Sequence, residues 1–367
     1  MEAFLDWCVQ RGVQRNGVDV GYLDGCGRCL LVQARVEAEE ILVAVPGTAI
    51  IGEARHSRNY VSSHWMFCVV HRLLEEDALG PNSAFAPFVH MLLDLDCTDP
   101  IDFGKLLDLP GCAGSLARGR AALRQSLSAE FCRAFPGLTA DCAARALHAA
   151  DTRTLYSQKT QMRALVPFFD FMNHSANPNA VWTMDEGGNV QVETLRALDV
   201  GEQVLIAYSD SPNASLLVTY GFVLDGDGPH RSVELAVPIP PMSHGGDPEG
   251  PRVEQKEVRL RVTATGSLRR RAAMVPLLKA GPAAAAAAIE AVAVPEREAW
   301  LRLDPAGDRR LEILRAQSEA ALGELLSRIR AWREAEEDTG LMIALGGPPV
   351  EVKSSSSDSE GDGSSTD

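Results

Sequence analysis

The chain has 367 residues, 46% of them hydrophobic, enough to bury a full core and to make two domains rather than one small module. No apolar run approaches the roughly 20 residues of a membrane span, and neither a signal peptide nor a basic transit segment precedes the amphipathic Phe4-Leu5-Trp7-Cys8; a soluble cytoplasmic or nuclear protein is expected, a plastid address requiring an N-terminal extension. A net charge of −15 argues against direct nucleic-acid binding, which needs a positive surface, and suits a basic partner as well as it suits a solvated surface.

In chain order, residues 4–11 read as a short helix, and Gly12, Gly17 and Gly21 break the segment that follows. Gly27-Arg28-Cys29-Leu30-Leu31-Val32 enters a strand and residues 40–45 form a second, closed by Pro46, with the acidic turn Glu37-Ala38-Glu39-Glu40 between them. A glycine at a strand entrance lets a ligand approach backbone that a side chain would otherwise cover. From Val61 to about Ala150 the apolar period turns helical, with Trp65, Val69, Leu73 and Leu74 on one face and an interruption at Leu109-Pro110-Gly111-Cys112. A mostly helical insertion between β segments predicts an α+β fold.

The stretch Asp170-Phe171-Met172-Asn173-His174-Ser175 lies between the apolar runs 164–169 and 181–184. Burying an acid, an amide and an imidazole costs free energy unless each finds a partner, so the cluster is either a satisfied structural turn or a ligand seat. Strand alternation returns with Val190, Val192 and Thr194, and again after the Gly201 turn with Val204, Ile206 and Tyr208. Residues 213–219 read as a short helix delivering Tyr220-Gly221-Phe222. Loop chemistry fills 225–229 and 238–251, a strand is expected at 258–262, and helices follow in the alanine run 283–288 and in the stripe Leu311, Leu314, Ser318, Ala321, Leu325, Ile329 and Trp332. That stripe fits packing within its own domain better than a coiled-coil seam. After Lys353 only Ser, Thr, Asp, Glu and Gly occur, the composition of a disordered acidic tail.

All eight cysteines precede residue 143 without a disulfide-framework spacing, and Cys26-Gly27-Arg28-Cys29 has no second CxxC or His pair to complete a zinc site. Reduced thiols and no metal are expected.

The order of these motifs, a glycine-entered strand pair, a helical insertion, Thr152-Arg153-Thr154, Asn173-His174-Ser175, Tyr208 and Tyr220-Gly221-Phe222, resembles the SET-domain protein methyltransferases, and among them the branch of the Rubisco large-subunit lysine methyltransferase. The resemblance covers about residues 4–235, with a looser match of the helical remainder to that branch's C-terminal substrate-binding domain. It implies an α+β SET-domain β-fold with a pseudoknot and a helical insertion, followed by a mostly α-helical C-terminal domain. The segments would be 1–60 and 151–235 for the SET domain, 61–150 for the insertion, 236–345 for the helical substrate-binding-like domain and 346–367 for the tail.

The same resemblance implies S-adenosyl-L-methionine as cofactor, bound by Asn173 and His174, with Arg153 at its carboxylate, Cys26, Gly27 and Arg28 along it and Phe222 walling its pocket. Asp170 would face the substrate side together with Arg153, Tyr208 would orient the acceptor amine, and Tyr220 would form a second wall and hydrogen-bond donor. The implied activity is protein-lysine N-methylation of a non-histone protein by a monomer. Protein-histidine methylation and a catalytically silent SET scaffold are the alternatives. Cys29 departs from the family's second glycine, and the zinc-binding Cys-rich segment of histone-directed relatives is missing. Tyr220 favours lysine, because the histidine-directed actin methyltransferase relatives lack that tyrosine.

Overall fold

The computed structural model describes residues 1–24, 26–54, 65–94, 103–240, 256–269, 274–334 and 341–346. The start of the helical stretch at 61–64, most of the loop 238–251 and the acidic tail lie outside them. Two compact units result, one of residues Met1–Arg231 with Pro305–Leu314, the other of Ser232–Asp304 with Arg315–Asp367.

The first unit begins with α1 (Glu2–Gln10), whose Phe4, Trp7 and Cys8 recur at helical spacing and are buried. Short strand β1 (Gln14–Arg15) leads into the hairpin of β2 (Val18–Leu23) and β3 (Gly27–Val32), paired from Val18↔Val32 to Leu23↔Gly27. Gly21, which the sequence suggests as a breaker, lies inside β2: a Cβ there would come within 2.4 Å of Leu31 Cδ1, so the glycine makes room for its cross-strand neighbour. Strands β4 (Ile41–Val45) and β5 (Ile51–Ala54) follow.

The insertion comprises α2 (Trp65–Ala78), α3 (Ala86–Leu93), α4 (Phe103–Leu107), α5 (Gly111–Ala134) and α6 (Ala140–Arg153). Val69, Leu73 and Leu74 are buried on α2, while Trp65 is half-buried under the Arg163 guanidinium. The chain returns through β6 (Leu155–Tyr156), β7 (Met162–Leu165), β8 (Asn173–His174), β9 (Ala180–Met184), β10 (Val190–Thr194) and β11 (Leu205–Ile206), then α7 (Asn213–Tyr220). The unit holds three small sheets, β1-β4-β10-β9, β5-β7-β6 and β2-β3, and the pair β8-β11. Val190, Val192 and Thr194 are the buried alternate positions of β10, as their period requires.

Insertion and strands share one core. Phe4 of α1 packs its ring 6.0 Å from Phe88 of α3, 5.6 Å from Phe168 and 6.1 Å from Phe171, so the residues just before β8 are packed against the N-terminal helix, which in turn meets α3 of the insertion. A polar clamp adds to this. The Asp151 carboxylate at the end of α6 is buried, bound to Arg120 and, at 2.9 Å, to Arg124 of α5.

The second unit holds the antiparallel sheet of β12 (Ser232–Pro238), β13 (Glu257–Thr263) and β14 (Leu268–Arg269). Its helices are α8 (Val275–Leu278), α9 (Pro282–Arg302), which packs on β12, the later part of α10 (Arg309–Glu334) and α11 (Leu341–Ala344). The alanine run of the sequence falls in α9. On α10, Leu311, Leu314, Ser318, Ala321, Leu325 and Ile329 are buried within the single chain, which accounts for the stripe without a coiled-coil partner. Among the described residues no helix is long and apolar enough to cross a membrane.

Removing one member of a buried charge cluster strands the others. Asp151→Asn is therefore expected to cost about 2–3 kcal/mol of unfolding free energy in urea titrations, less than a fully buried triad because both guanidiniums keep some contact with water. A loss below about 0.5 kcal/mol, the level of an exposed ion pair, would show that the clamp contributes little.

Candidate active site

Strand β7 ends at Leu165, Val166-Pro167 follow, and Phe168 then takes a left-handed conformation (φ 71°) that starts the one-turn 3-10 helix Phe169–Phe171. Such a conformation is unusual for a bulky residue; here the ring is fully buried in the aromatic cluster, with the Arg15 guanidinium 5.1 Å from its centroid. The turn leaves Phe168 and Phe171 in the core and delivers Asp170 and then Asn173-His174 to the site.

Strand β8 lies parallel to β11, with Leu205 opposite Asn173 and Ile206 opposite His174. The residues leading into β11 bond in the other direction to β3: Gly201 N–H donates to Val32 at 2.8 Å, Val32 N–H to Glu202 at 2.9 Å and Val204 N–H to Leu30 at 2.9 Å. Residues 201–206 thus run between β3 and the Asn-His segment, the crossing that a pseudoknot of this kind requires. The Asn179 side chain secures it, donating to Gln203 O and accepting from Leu205 N–H, both at 2.8 Å.

Asn173 Nδ2 donates to Gln203 Oε1 at 2.9 Å, and Gln203 Nε2 lies 3.9 Å from Cys26 Sγ. Cys26 and Asn173 are joined through that glutamine, a residue sequence reasoning passed over. His174 Nδ1 accepts the Tyr208 N–H at 3.1 Å, so a neutral ring carries its proton on Nε2; burial, with a smaller effect from His230, pushes its pKa down. Its ring stands 5.2 Å from Tyr208 and 5.7 Å from Phe222, and Tyr208 stands 5.1 Å from Tyr220. Tyr208 Oη donates to Met172 O at 2.7 Å.

Arg153, Asp170, Asn173, Tyr208, Tyr220 and Phe222 line one cavity of about 490 Å³. Its walls also include Leu155, Tyr156, Phe169 and Trp182, none singled out in the sequence; they sit at ordinary apolar or aromatic positions, and only the fold turns them inward. Gly221 (φ 80°) caps α7 and makes the bend between Tyr220 and Phe222, and its carbonyl accepts from Arg310 Nη1 at 3.1 Å. Cys26 and Gly27 do not line this cavity. Arg28 lines another, of about 720 Å³, with Phe4, His90, Leu93, Asp94 and Arg145. Cys29 is fully buried, so the residue standing at the family's glycine position points into the protein.

Asp170 carries the electrostatics of the site. Its Oδ1 is 3.1 Å from Arg153 Nε, and its buried Oδ2 has no hydrogen-bond partner among the described residues. Burial raises its pKa to about 6, against the opposing pull of Arg153 and then of Arg28: desolvation outweighs two nearby cations because the ion pair satisfies only one oxygen. Burial also raises both phenols, Tyr208 and Tyr220, so each stays neutral. An undersatisfied carboxylate beside neutral phenols suits a cationic guest. Among the described residues no three His, Cys, Asp or Glu side chains are placed to hold a metal.

Residues 27–209 match the model of the SET domain. The ribosomal lysine N-methyltransferase set11 of Schizosaccharomyces pombe is 22% identical over 246 residues, and the present chain spans 64% of that relative's length, with 64% of its own matched. Among solved structures, the crystal structure of the SET domain of LSMT bound to lysine and AdoHcy has a TM-score of 0.68 at 16% identity over 91% of both chains. The structure of Rubisco LSMT bound to sinefungin and monomethyllysine has a TM-score of 0.67 at 17% identity, over 91% of this chain and 92% of that one. At these identities the likeness is one of fold.

The raised pKa of Asp170 has a definite sign in stability. The folded state holds this proton more tightly than the unfolded chain, so the group's contribution is fully present below about pH 4 and is lost as pH rises through about 6. Between pH 4 and pH 7.5, Asp170→Asn is expected to gain about 2–2.5 kcal/mol relative to the parent, measured by urea unfolding at both pH values. A relative loss over that interval would mean that Arg153 lowers the pKa instead.

Proposed function

The chain belongs to the SET-domain family, and on that premise we propose that it is an S-adenosylmethionine-dependent protein-lysine N-methyltransferase acting on a non-histone protein. The observation that carries this reading is one cavity lined by Asp170, Asn173 and the neutral phenols of Tyr208 and Tyr220, with the His174 ring against Tyr208 and one buried Asp170 oxygen unpartnered among the described residues. A catalytically silent scaffold gives no reason for that undersatisfied charge in a formed cavity.

The residues fit the cofactor. Asp170 Oδ2 has an unmet acceptor for its positive end, Arg153 offers a guanidinium to its carboxylate, and the Asn173 amide is half engaged. Gly27, at φ 72°, has no atom within 4 Å of where a Cβ would stand, leaving the backbone open to approach. When bound, S-adenosylmethionine supplies a methyl group on a sulfonium that already carries its leaving group.

The chain's own task is to present a neutral amine and exclude water. A lysine ammonium, with an ordinary pKa near 10.4, cannot attack; passage between Phe169, Trp182 and Tyr220 disfavours its charged form. Tyr208 has committed its proton to Met172 O, which leaves the phenolic oxygen as an acceptor for an amine N–H. It orients the amine and is no base. Tyr220 lines the cavity, and the resemblance, in which the histidine-directed relatives lack this tyrosine, favours lysine as the acceptor. The relatives support this choice: set11 is a ribosomal lysine methyltransferase, and the LSMT structures hold lysine or monomethyllysine. A net charge of −15 suits a basic protein region around the target lysine.

Labelled S-adenosylmethionine incubated with the protein and a cell extract, followed by mass spectrometry of the labelled peptides, should find methyl on lysine Nζ of non-histone proteins; methyl on imidazole nitrogen alone would reject the assignment. In the same assay Tyr208→Phe should lower kcat by about 100-fold or more with cofactor affinity changed by no more than a few-fold. Undiminished turnover would remove Tyr208 from the mechanism.

A further inference from the structure

We propose that His230 is a positioning residue for the candidate site, a neutral imidazole that braces the segments carrying His174 and Tyr220 to Phe222. This rests on the reading of that site given above. His230 is 4% exposed, and its Nε2 lies 2.7 Å from Gly226 O. A carbonyl only accepts, so Nε2 carries the proton and Nδ1 is a bare acceptor, buried and without a hydrogen-bond partner among the described residues.

Two observations tie the residue to the site. A Cβ at Gly228 would fall 2.8 Å from the His230 ring and 3.7 Å from Ala176 Cβ, so the turn closes tightly on the imidazole beside the residues that follow His174. The His230 carbonyl accepts the N–H of Asn213, first residue of α7, at 2.8 Å. Asn213 in turn accepts from Leu224 N–H at 2.9 Å and donates to Leu224 O at 2.8 Å through its side chain. His230 therefore holds the start of the helix that ends in Tyr220, reaches the segment just beyond Phe222 through Asn213, and packs under the Gly228 turn that lies beside Ala176.

Packing alone does not explain a histidine here. A phenylalanine would fill similar space without burying an unpaired nitrogen, which carries a free-energy cost. What phenylalanine lacks is the N–H that holds the Gly226 carbonyl, and with it the turn.

The test compares wild type, His230→Gln, whose amide places an N–H at the position of Nε2, and His230→Phe. Hydrogen exchange without cofactor should show lost protection of amides in 173–177 and 213–224 in His230→Phe and retained protection in His230→Gln. S-adenosylmethionine affinity by calorimetry should fall about tenfold in His230→Phe, the worth of one hydrogen bond, and stay within about threefold in His230→Gln, while kcat at saturation moves little. Gly228→Ala, which pushes a methyl against the ring without removing it and also strains a backbone at φ 158°, should reproduce the loss of protection even where His230→Phe does not fold. Wild-type protection in both His230→Phe and Gly228→Ala, or equal loss in His230→Gln and His230→Phe, overturns the proposal. A wild-type protein that takes up no S-adenosylmethionine rejects the methyltransferase reading, and the exchange comparison still decides the role of His230.

Discussion

Residues 201–206 are the main-chain link on which the candidate site depends. They give hydrogen bonds to β3 on one side and pair with Asn173-His174 on the other. Where these residues are buried, as at Val204 and Ile206, the backbone groups must be paired within the fold, and the pairing sets where Asn173, His174 and Tyr208 stand relative to the strand that begins at Gly27. Side chains reinforce it: Asn179 closes on Gln203 and Leu205, and Gln203 reaches both Asn173 and Cys26. A shift of one residue here would reverse the faces of Ile206 and its neighbours and turn Tyr208 away from His174.

On that frame the electrostatics are uneven. Tyr208, Tyr220 and His174 are held neutral by burial, while Asp170 keeps one oxygen on Arg153 and one oxygen without a hydrogen-bond partner among the described residues. A fold that only had to be stable would do better with an apolar residue at 170. The remaining charge is useful where a cationic guest arrives, because the guest then meets a carboxylate whose desolvation has been met by folding. Arg153 and Arg28 line different cavities, and both act on Asp170. That arrangement suits a carboxylate shared by two approaches to one reaction centre.

Much of this was legible in the sequence where chemistry and local pattern coincide. Asp170 to Ser175 stood out as polar groups inside apolar runs, and period-two alternation identified β10 and the approach to Tyr208. Tyr220-Gly221-Phe222 ended a short helix at a glycine that does take the left-handed cap. What could not be read locally was tertiary. Gly21 belongs to a strand because Leu31 needs its space, and Trp182 and Phe169 become cavity walls only once β9 and the 169–171 turn are placed. Gln203, Asn213, His230 and Arg310 act through partners up to 89 residues away or through backbone groups, which leave no motif. The Cys26-Gly27-Arg28 entrance lies beside the phenol cavity's residues through Gln203 rather than along its wall, a distinction spacing alone does not make.

The cation seat can be tested directly by calorimetric titration of the full chain with S-adenosylmethionine at pH 6 and pH 8, in buffers of different ionisation enthalpy. A guest that settles against Asp170 should drive off the proton the carboxylate holds near its pKa of about 6, with release of about half a proton per cofactor at pH 6 and almost none at pH 8. Absence of binding, or binding at pH 6 without proton release, would contradict a positive group received by that buried carboxylate.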